Sequence, residues 1–301
     1  MIHSTPDMQE RVVLFVDLLG FASLTESHSI ELDRIHGLGR PLENIAMILS
    51  GQKDNRLTQT FTSFHRVLKG AIDLAQIRHP LTAITFSDSA YIVTNRLYEA
   101  VNFASHFVRT LVSQCIPVRA GIAYGTFAAV RFRSDVTLEG GDHAAHFLGT
   151  GVVRAHAAET CGIKGIRILL HPSAAALLTN HQHNAPSPQK KHVYFTKLLG
   201  EPYDFTVDNP EPEEKCVHYV ECSAAERDNP LHVQYEIDYW RFRRTQESKA
   251  WRSVQDMWDS APQGELIHYE ATAHAINRMR MAKGEASLGK LRRRTLPRTT
   301  E

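Results

Sequence analysis

The chain has 301 residues, 43% of them hydrophobic, with 34 basic and 33 acidic side chains for a formal net charge of +1. That length supports a sizeable core, as one large domain or one domain with an appendage, and the composition excludes collagen-like, disordered and small disulfide-stapled chains. The four cysteines (Cys115, Cys161, Cys216, Cys222) contain no C-x-x-C pair, so neither a zinc knuckle nor a redox dithiol is indicated. No apolar run reaches 18 residues and the N-terminal stretch lacks the order of a signal peptide, so the chain reads as cytosolic.

In chain order, residues 11–17 (RVVLFVD) form a β-branched run that ends in Leu-Leu-Gly-Phe, with Ser23, Thr25 and Glu26 beyond, as a strand feeding a tight turn and a helix. Apolar residues then recur at helical spacing, at Phe61, Phe64, Leu68 and Ala75 and again at Leu97, Val101, Ala104, Val108 and Leu111. Between these helices, residues 81–86 and 90–94 are strands joined through Ser87-Asp88-Ser89 as a hairpin. Residues 117–124 read as a strand ending at Gly125, followed by a glycine-rich charged stretch, a helix over 149–160, a strand over 166–170 and a helix from Pro172.

The order β, α, α, β, β, α, β predicts an α/β (α+β) fold, a mixed sheet covered by helices. Residues 1–180 are assigned to this domain. Residues 181–230, polar and then proline-rich and acidic, read as connecting loops and short strands. Residues 231–301 read as a C-terminal helical extension, in which Trp240, Trp251, Trp258 and the run 265–281 pack on the core or on a second copy. Its end is basic, with eight Lys or Arg against the single Glu285 between Arg278 and Arg298, and is read as a solvated tail; neither nucleic acid nor membrane is expected as a partner.

Asp17 ends a buried strand just before a glycine turn. A carboxylate there is costly to bury unless paired or metal-bound, although on its own it would serve to cap the next helix. Asp88 stands at a hairpin tip, where Asp is common for local reasons. A hairpin lying antiparallel beside the first strand sets the two carboxylates together. They could then hold two divalent ions about 3.5–4 Å apart, which activates a hydroxyl and stabilises a leaving pyrophosphate.

The segments Phe15-Val16-Asp17-Leu18-Leu19-Gly20-Phe21, Phe86-Ser87-Asp88-Ser89, Arg119-Ala120-Gly121-Ile122-Ala123-Tyr124-Gly125 and Gly149-Thr150-Gly151-Val152 occur in the order of class III nucleotidyl cyclase catalytic domains, which the chain resembles. The resemblance implies Asp17 and Asp88 as ligands of two Mn²⁺ or Mg²⁺ ions, with the Leu18 carbonyl as a third donor. It implies Leu19, Gly20, Phe21 and Ser23 around the triphosphate, and Arg119 on the outer phosphates, a role suited to a planar, permanently charged fork. It also implies a head-to-tail homodimer with each site shared between subunits.

Departures from the family pattern bear on the substrate. The positions that read adenine, a Lys and an Asp in adenylate cyclases, are Ile84 and His146 here, and the last motif's Asn and Arg fall on Val153 and Ala157. Arg154 is the leading substitute for the missing transition-state arginine, with Arg131, Arg133 and His156 behind it, and Thr85 and His146 are candidate base readers. These changes, with the Gly149, Ala155, Glu159 spacing, resemble the pyrimidine cyclases of bacterial Pycsar antiphage systems. Conversion of UTP to cyclic UMP is therefore expected, the product acting on a separate effector. The alternatives are a CTP cyclase, a purine cyclase and a silent nucleotide-binding domain. The 17 histidines include no Cys2His2 or H-E-x-x-H spacing, and no G-x-S-x-G elbow or phosphate-loop motif is present.

Overall fold

The computed structural model describes residues 9–27, 56–77, 80–133, 143–182, 222–224, 235–237, 239, 244–282 and 284–292. Strand β1 (Gln9–Leu18) leads through a turn into α1 (Phe21–Ser27), and α2 (Arg56–Gln76) precedes the hairpin β2 (Thr82–Thr85) and β3 (Ser89–Thr94). Then follow α3 (Leu97–Ser113), β4 (Val118–Arg133), β5 (His143–Leu148), α4 (Thr150–Glu159), β6 (Ile168–Leu170) and α5 (Pro172–Gln182). Short strands β7 (Cys222–Ala224) and β8 (Tyr235–Ile237), helix α6 (Arg244–Ser260), a 3₁₀ turn (Gln263–Glu265) and helix α7 (Leu266–Ala282) complete the described elements. The expected βααββαβ mixed sheet flanked by helices is present, with strand order β2-β3-β1-β4-β6-β8-β7 and β5 on β4. Only the β4–β6 pair is parallel among the described strands. No described helix is long and apolar enough to cross a membrane.

The sheet is buried on both faces around β1, which is why that strand is apolar without alternation. Val12, Leu14, Val16 and Leu18 face one core together with Phe64 and Leu68 of α2 and Phe107 and Leu111 of α3. Val13 and Phe15 face the other side with Tyr91, Val93, Ala123, Phe127 and Ala155 of α4. Each large side chain removed from water there contributes about 1.5–3 kcal/mol. Of the two placements expected for the C-terminal helices, the described ones take the first: Val254, Met257, Tyr269 and Ile276 share the core of α2 and α3. Buried Glu236 on β8 pairs with the fully buried Arg167 and, at 2.8 Å, with Arg278 of α7, which ties the extension to the sheet.

The strand expected to end at Gly125 instead runs on to Arg133 and pairs with β5, a strand the sequence reading did not anticipate. Gly125 is a point of close approach rather than a strand end. A Cβ there would stand 2.5 Å from Thr150 Oγ1 and 2.7 Å from the Gly151 amide, and one on Gly121 would meet the Ala155 carbonyl and lie 2.6 Å from the Glu159 amide. The spacing of these glycines thus lets α4 lie directly on β4. Gly121→Ala is expected to destabilise the chain by about 3 kcal/mol, because backbone rather than a flexible side chain must yield; chemical denaturation checks this, and a loss below about 1 kcal/mol contradicts it.

The assigned connecting region 181–230 lies largely outside the described residues, as do Trp240, the basic residues beyond Arg292 and the side chains of Arg131, Arg133 and His146.

Candidate active site

The site is built where the end of β1, the β2–β3 turn and the start of β4 meet. Register places Asp17 opposite Ser89 on one side and Arg119 on the other. The turn is closed by the Phe86 amide donating to the Ser89 carbonyl (2.8 Å), and the Leu18 amide donates to the Asp88 carbonyl (2.9 Å), so the hairpin tip is held against the end of β1. Ser87 Oγ donates to Asp88 Oδ1 at 3.2 Å, and His65 Nε2 of α2 lies 3.0 Å from the Ser87 carbonyl oxygen.

Alternation along β1 puts Asp17 on the α4 side of the sheet, beyond Phe15. Burial pushes its carboxyl up from 3.8 to about 7, the negative charges of Glu159 and Asp88 add to the rise, and Arg119 opposes it. Asp17 and Asp88 are thus electrostatic neighbours. The negative charge around Asp17 outweighs the compensation Arg119 supplies, a donor environment that fits a cation.

Arg119 is engaged with protein groups. Its Nε donates to Glu159 Oε1 at 2.5 Å and Nη1 to the Ile163 carbonyl at 3.4 Å, and the side chains are 12% and 2% exposed. Glu159 entered the sequence reading only through its spacing; a glutamate at a helix end carries no mark of what lies across from it in the fold.

The turn after Asp17 is rigidly placed. The Leu19 amide donates to the Pro117 carbonyl (3.0 Å), so it is already satisfied, and Gly20 takes φ +75°, a conformation that favours glycine. Its outer side faces Glu265, a residue with no forewarning in the sequence: a Cβ on residue 20 would stand 2.5 Å from Glu265 Oε1.

Next to the carboxylates lies an aromatic cluster. Tyr91 is 4.6 Å from Phe15 and 5.2 Å from Phe147 between ring centroids, and Phe86 lies 6.2 Å from Tyr91. Ile84, the cross-strand partner of Tyr91, packs onto this cluster, and Thr85 pairs with Ala90 beside it. His146 pairs through its backbone with Val130, toward the far end of β4.

Arg154 does not join Asp17. Its Nη1 donates to the Tyr124 carbonyl at 3.0 Å. Tyr124 lies five residues along β4 from Arg119, about 16 Å at strand spacing. Within one chain the fold brings together Asp17, Asp88, Gly20, Phe21 and Arg119, and leaves Arg154 elsewhere; the backbone of His146 adjoins Phe147 of the aromatic cluster. Val153 and Ala157, one turn apart, share a stripe of α4 beside Arg154, Val153 being 69% exposed.

No protein-family model matches the chain, and no curated protein matches it. Solved structures similar to it include a guanylyl cyclase at 16% identity, covering 57% of this chain and 80% of that one with a TM-score of 0.37. A bacterial light-regulated adenylyl cyclase is 10% identical, covering 84% and 100% with a TM-score of 0.42. The adenylyl cyclase CyaB from P. aeruginosa is 14% identical, covering 77% and 95% with a TM-score of 0.39.

Proposed function

We propose that the chain is a nucleotidyl cyclase that converts UTP to 3′,5′-cyclic UMP and pyrophosphate at a site shared by two copies. The observation that carries this reading is the meeting of Asp17 and Asp88 at the strand ends on one side of the sheet, with Asp17 pushed up to about 7 by burial and by neighbouring carboxylates. Such a carboxylate gains from a cation. Asp17 and Asp88 would hold the Mn²⁺ or Mg²⁺ ions, with the Leu18 carbonyl as a further donor. Among the described residues no group of three His, Cys, Asp or Glu is disposed for a metal ion, so the remaining donors would come from water and the nucleotide's own phosphates. When bound, the ions would favour loss of the ribose 3′-hydroxyl proton and offset charge on the departing pyrophosphate.

In this reading the 3′ oxygen attacks the α-phosphorus, the bond to the β-phosphate bridging oxygen breaks, and pyrophosphate leaves with the electron pair. The Gly20 turn receives the phosphate chain through the amides of Gly20, Phe21 and Ser23; the Leu19 amide is excluded because Pro117 holds it. Arg119 can reach outer phosphates only from the edge of its guanidinium not held by Glu159 and Ile163.

Two features support pairing of two copies. Arg154 stands apart from Asp17 in its own chain, so a partner's helix must bring positive charge to the leaving group, an interaction worth several kcal/mol in the transition state. Phe86 (43%), Leu148 (51%) and Val153 (69%) are large apolar side chains left exposed in the single chain, which a second copy would cover. A symmetric pair would then carry two sites.

Ile84 does not supply the reading of a purine edge. Packed on the aromatic cluster, it offers neither donor nor acceptor to a purine edge, and buried purine hydrogen-bonding groups left unpaired are penalised. CTP is the second candidate, and ATP or GTP the third. The product would serve as a messenger for a separate effector in antiphage defence. Incubation with each of the four nucleoside triphosphates and Mn²⁺, with products separated by mass, is expected to give cyclic UMP from UTP and no product with Asp88→Asn. Cyclic product from ATP or GTP alone would overturn the pyrimidine assignment, and none from any nucleotide would leave a silent binding domain.

A further inference from the structure

The C-terminal extension reaches the candidate site itself. The Ile166 amide donates to Thr272 Oγ1 at 2.8 Å and the Gly165 amide to His268 Nδ1 at 3.3 Å, which docks α7 beside the loop before β6. Gly165 is a close-approach residue for that docking, since a Cβ on it would stand 3.0 Å from Thr272 Oγ1. With α7 fixed in this way, the preceding 3₁₀ turn delivers Glu265 onto the Gly20 turn. Its carboxylate would overlap any side chain at position 20, at 2.5 Å for Oε1, 2.7 Å for Cδ and 3.1 Å for Oε2. The Ser23 hydroxyl hydrogen-bonds the same carboxylate, and Arg56 at the start of α2 is its nearby cation.

Gly20 and Ser23 belong to the segment that the proposed function assigns to the phosphate chain, and this inference rests on that reading. A polyphosphate and a carboxylate on one turn repel, and the repulsion is strong where both are partly removed from water. The geometry points to Glu265 as a built-in brake: a carboxylate supplied by the C-terminal extension that sits on the phosphate turn, lowers affinity for nucleoside triphosphates, and must swing toward Arg56 for the turn to fill. The extension, whose Glu265 is 245 residues along the chain from Gly20, thereby sets the basal activity. Any partner that shifts α7 or the 3₁₀ turn would release it.

The test is calorimetric titration of the full chain with inorganic tripolyphosphate and Mg²⁺, a probe independent of the base, alongside turnover of UTP below saturation. Glu265→Gln, which keeps the shape and a hydrogen-bond acceptor while removing the charge, and Glu265→Ala are expected to bind tripolyphosphate about tenfold more tightly than the wild type. Turnover should rise by a similar factor. Should Glu265→Ala not fold, Glu265→Gln carries the test. Unchanged or weaker binding by the variants, with binding and turnover in the wild type, overturns the brake and leaves the cyclase reading intact. No tripolyphosphate binding by any of the proteins overturns the phosphate turn and the brake with it.

Discussion

Asp17→Asn is expected to abolish nucleotide cyclisation and at the same time to make the metal-free protein more stable at pH 8. Burial and the nearby Glu159 and Asp88 raise the Asp17 carboxyl from 3.8 to about 7 in the folded chain. Below pH 4 the group is protonated whether the chain is folded or not. Between roughly pH 4 and pH 7 the unfolded chain has released the proton while the folded chain keeps it, so stability falls as pH rises through that window and is level above it. A shift of this size corresponds to roughly 4 kcal/mol; because the carboxylate is partly exposed, solvent screening reduces it to about 2 kcal/mol. The gain from Asn should therefore be near zero at pH 4 and complete above pH 7. Melting temperatures across pH 4–8.5 in the presence of a chelator measure it. Added Mn²⁺ should reverse the ranking at pH 8 by stabilising the wild type and not the variant. A gain independent of pH would mean that Asp17 ionisation is not the source, and full turnover by the variant would remove the carboxylate from the chemistry.

What could be read from the residues alone follows from how local each signal is. Strand β1, the β2–β3 hairpin and helix α3 are written in contiguous apolar patterns, and the observed bounds of α3, Leu97–Ser113, begin at the first apolar residue of the predicted helix. The meeting of Asp17 with Asp88 was legible because a hairpin beside an antiparallel strand has few registers, and the pairing Asp17 with Ser89 is one of them. Gly125 was misread since a glycine that ends a strand and one that admits a helix backbone look alike until the helix is placed. Strand β5, HAAHFL, has no β-branched residue, so its pairing with β4 is a tertiary effect with no local trace. The partner of Arg119 is 40 residues away and that of Gly20 is 245 residues away, and neither pairing has a periodicity to betray it.

The Arg119–Glu159 pair is expected to give the largest loss of stability, and its dissection separates holding the site from binding substrate. Glu159 is 2% exposed, so Arg119→Ala leaves a carboxylate in the interior beside Asp17 without the one ion-pair partner it has among the described residues. Removing one member of such a pair destabilises a fold by about 3–5 kcal/mol, mostly through the charge left behind. Replacing both, as Arg119→Met with Glu159→Met, should recover most of that loss because neither member is left as an unpaired buried charge, and urea unfolding of the three variants measures the coupling. Losses below about 1 kcal/mol for Arg119→Ala would show that the pair is not what holds α4 to β4 at this edge. Glu159→Gln isolates the electrostatic part. It removes one of the charges that raise the Asp17 carboxyl and leaves Arg119 positive beside it, so Asp17 should ionise at lower pH. Any cyclase pH profile governed by Asp17 should then shift its acid limb toward lower pH. If Arg119 also meets the outer phosphates, loosening its tie to Glu159 should lower KM for the triphosphate. An unshifted profile would show that the Glu159 charge does not set the ionisation of Asp17, and an unchanged KM would show that Arg119 does not meet the outer phosphates.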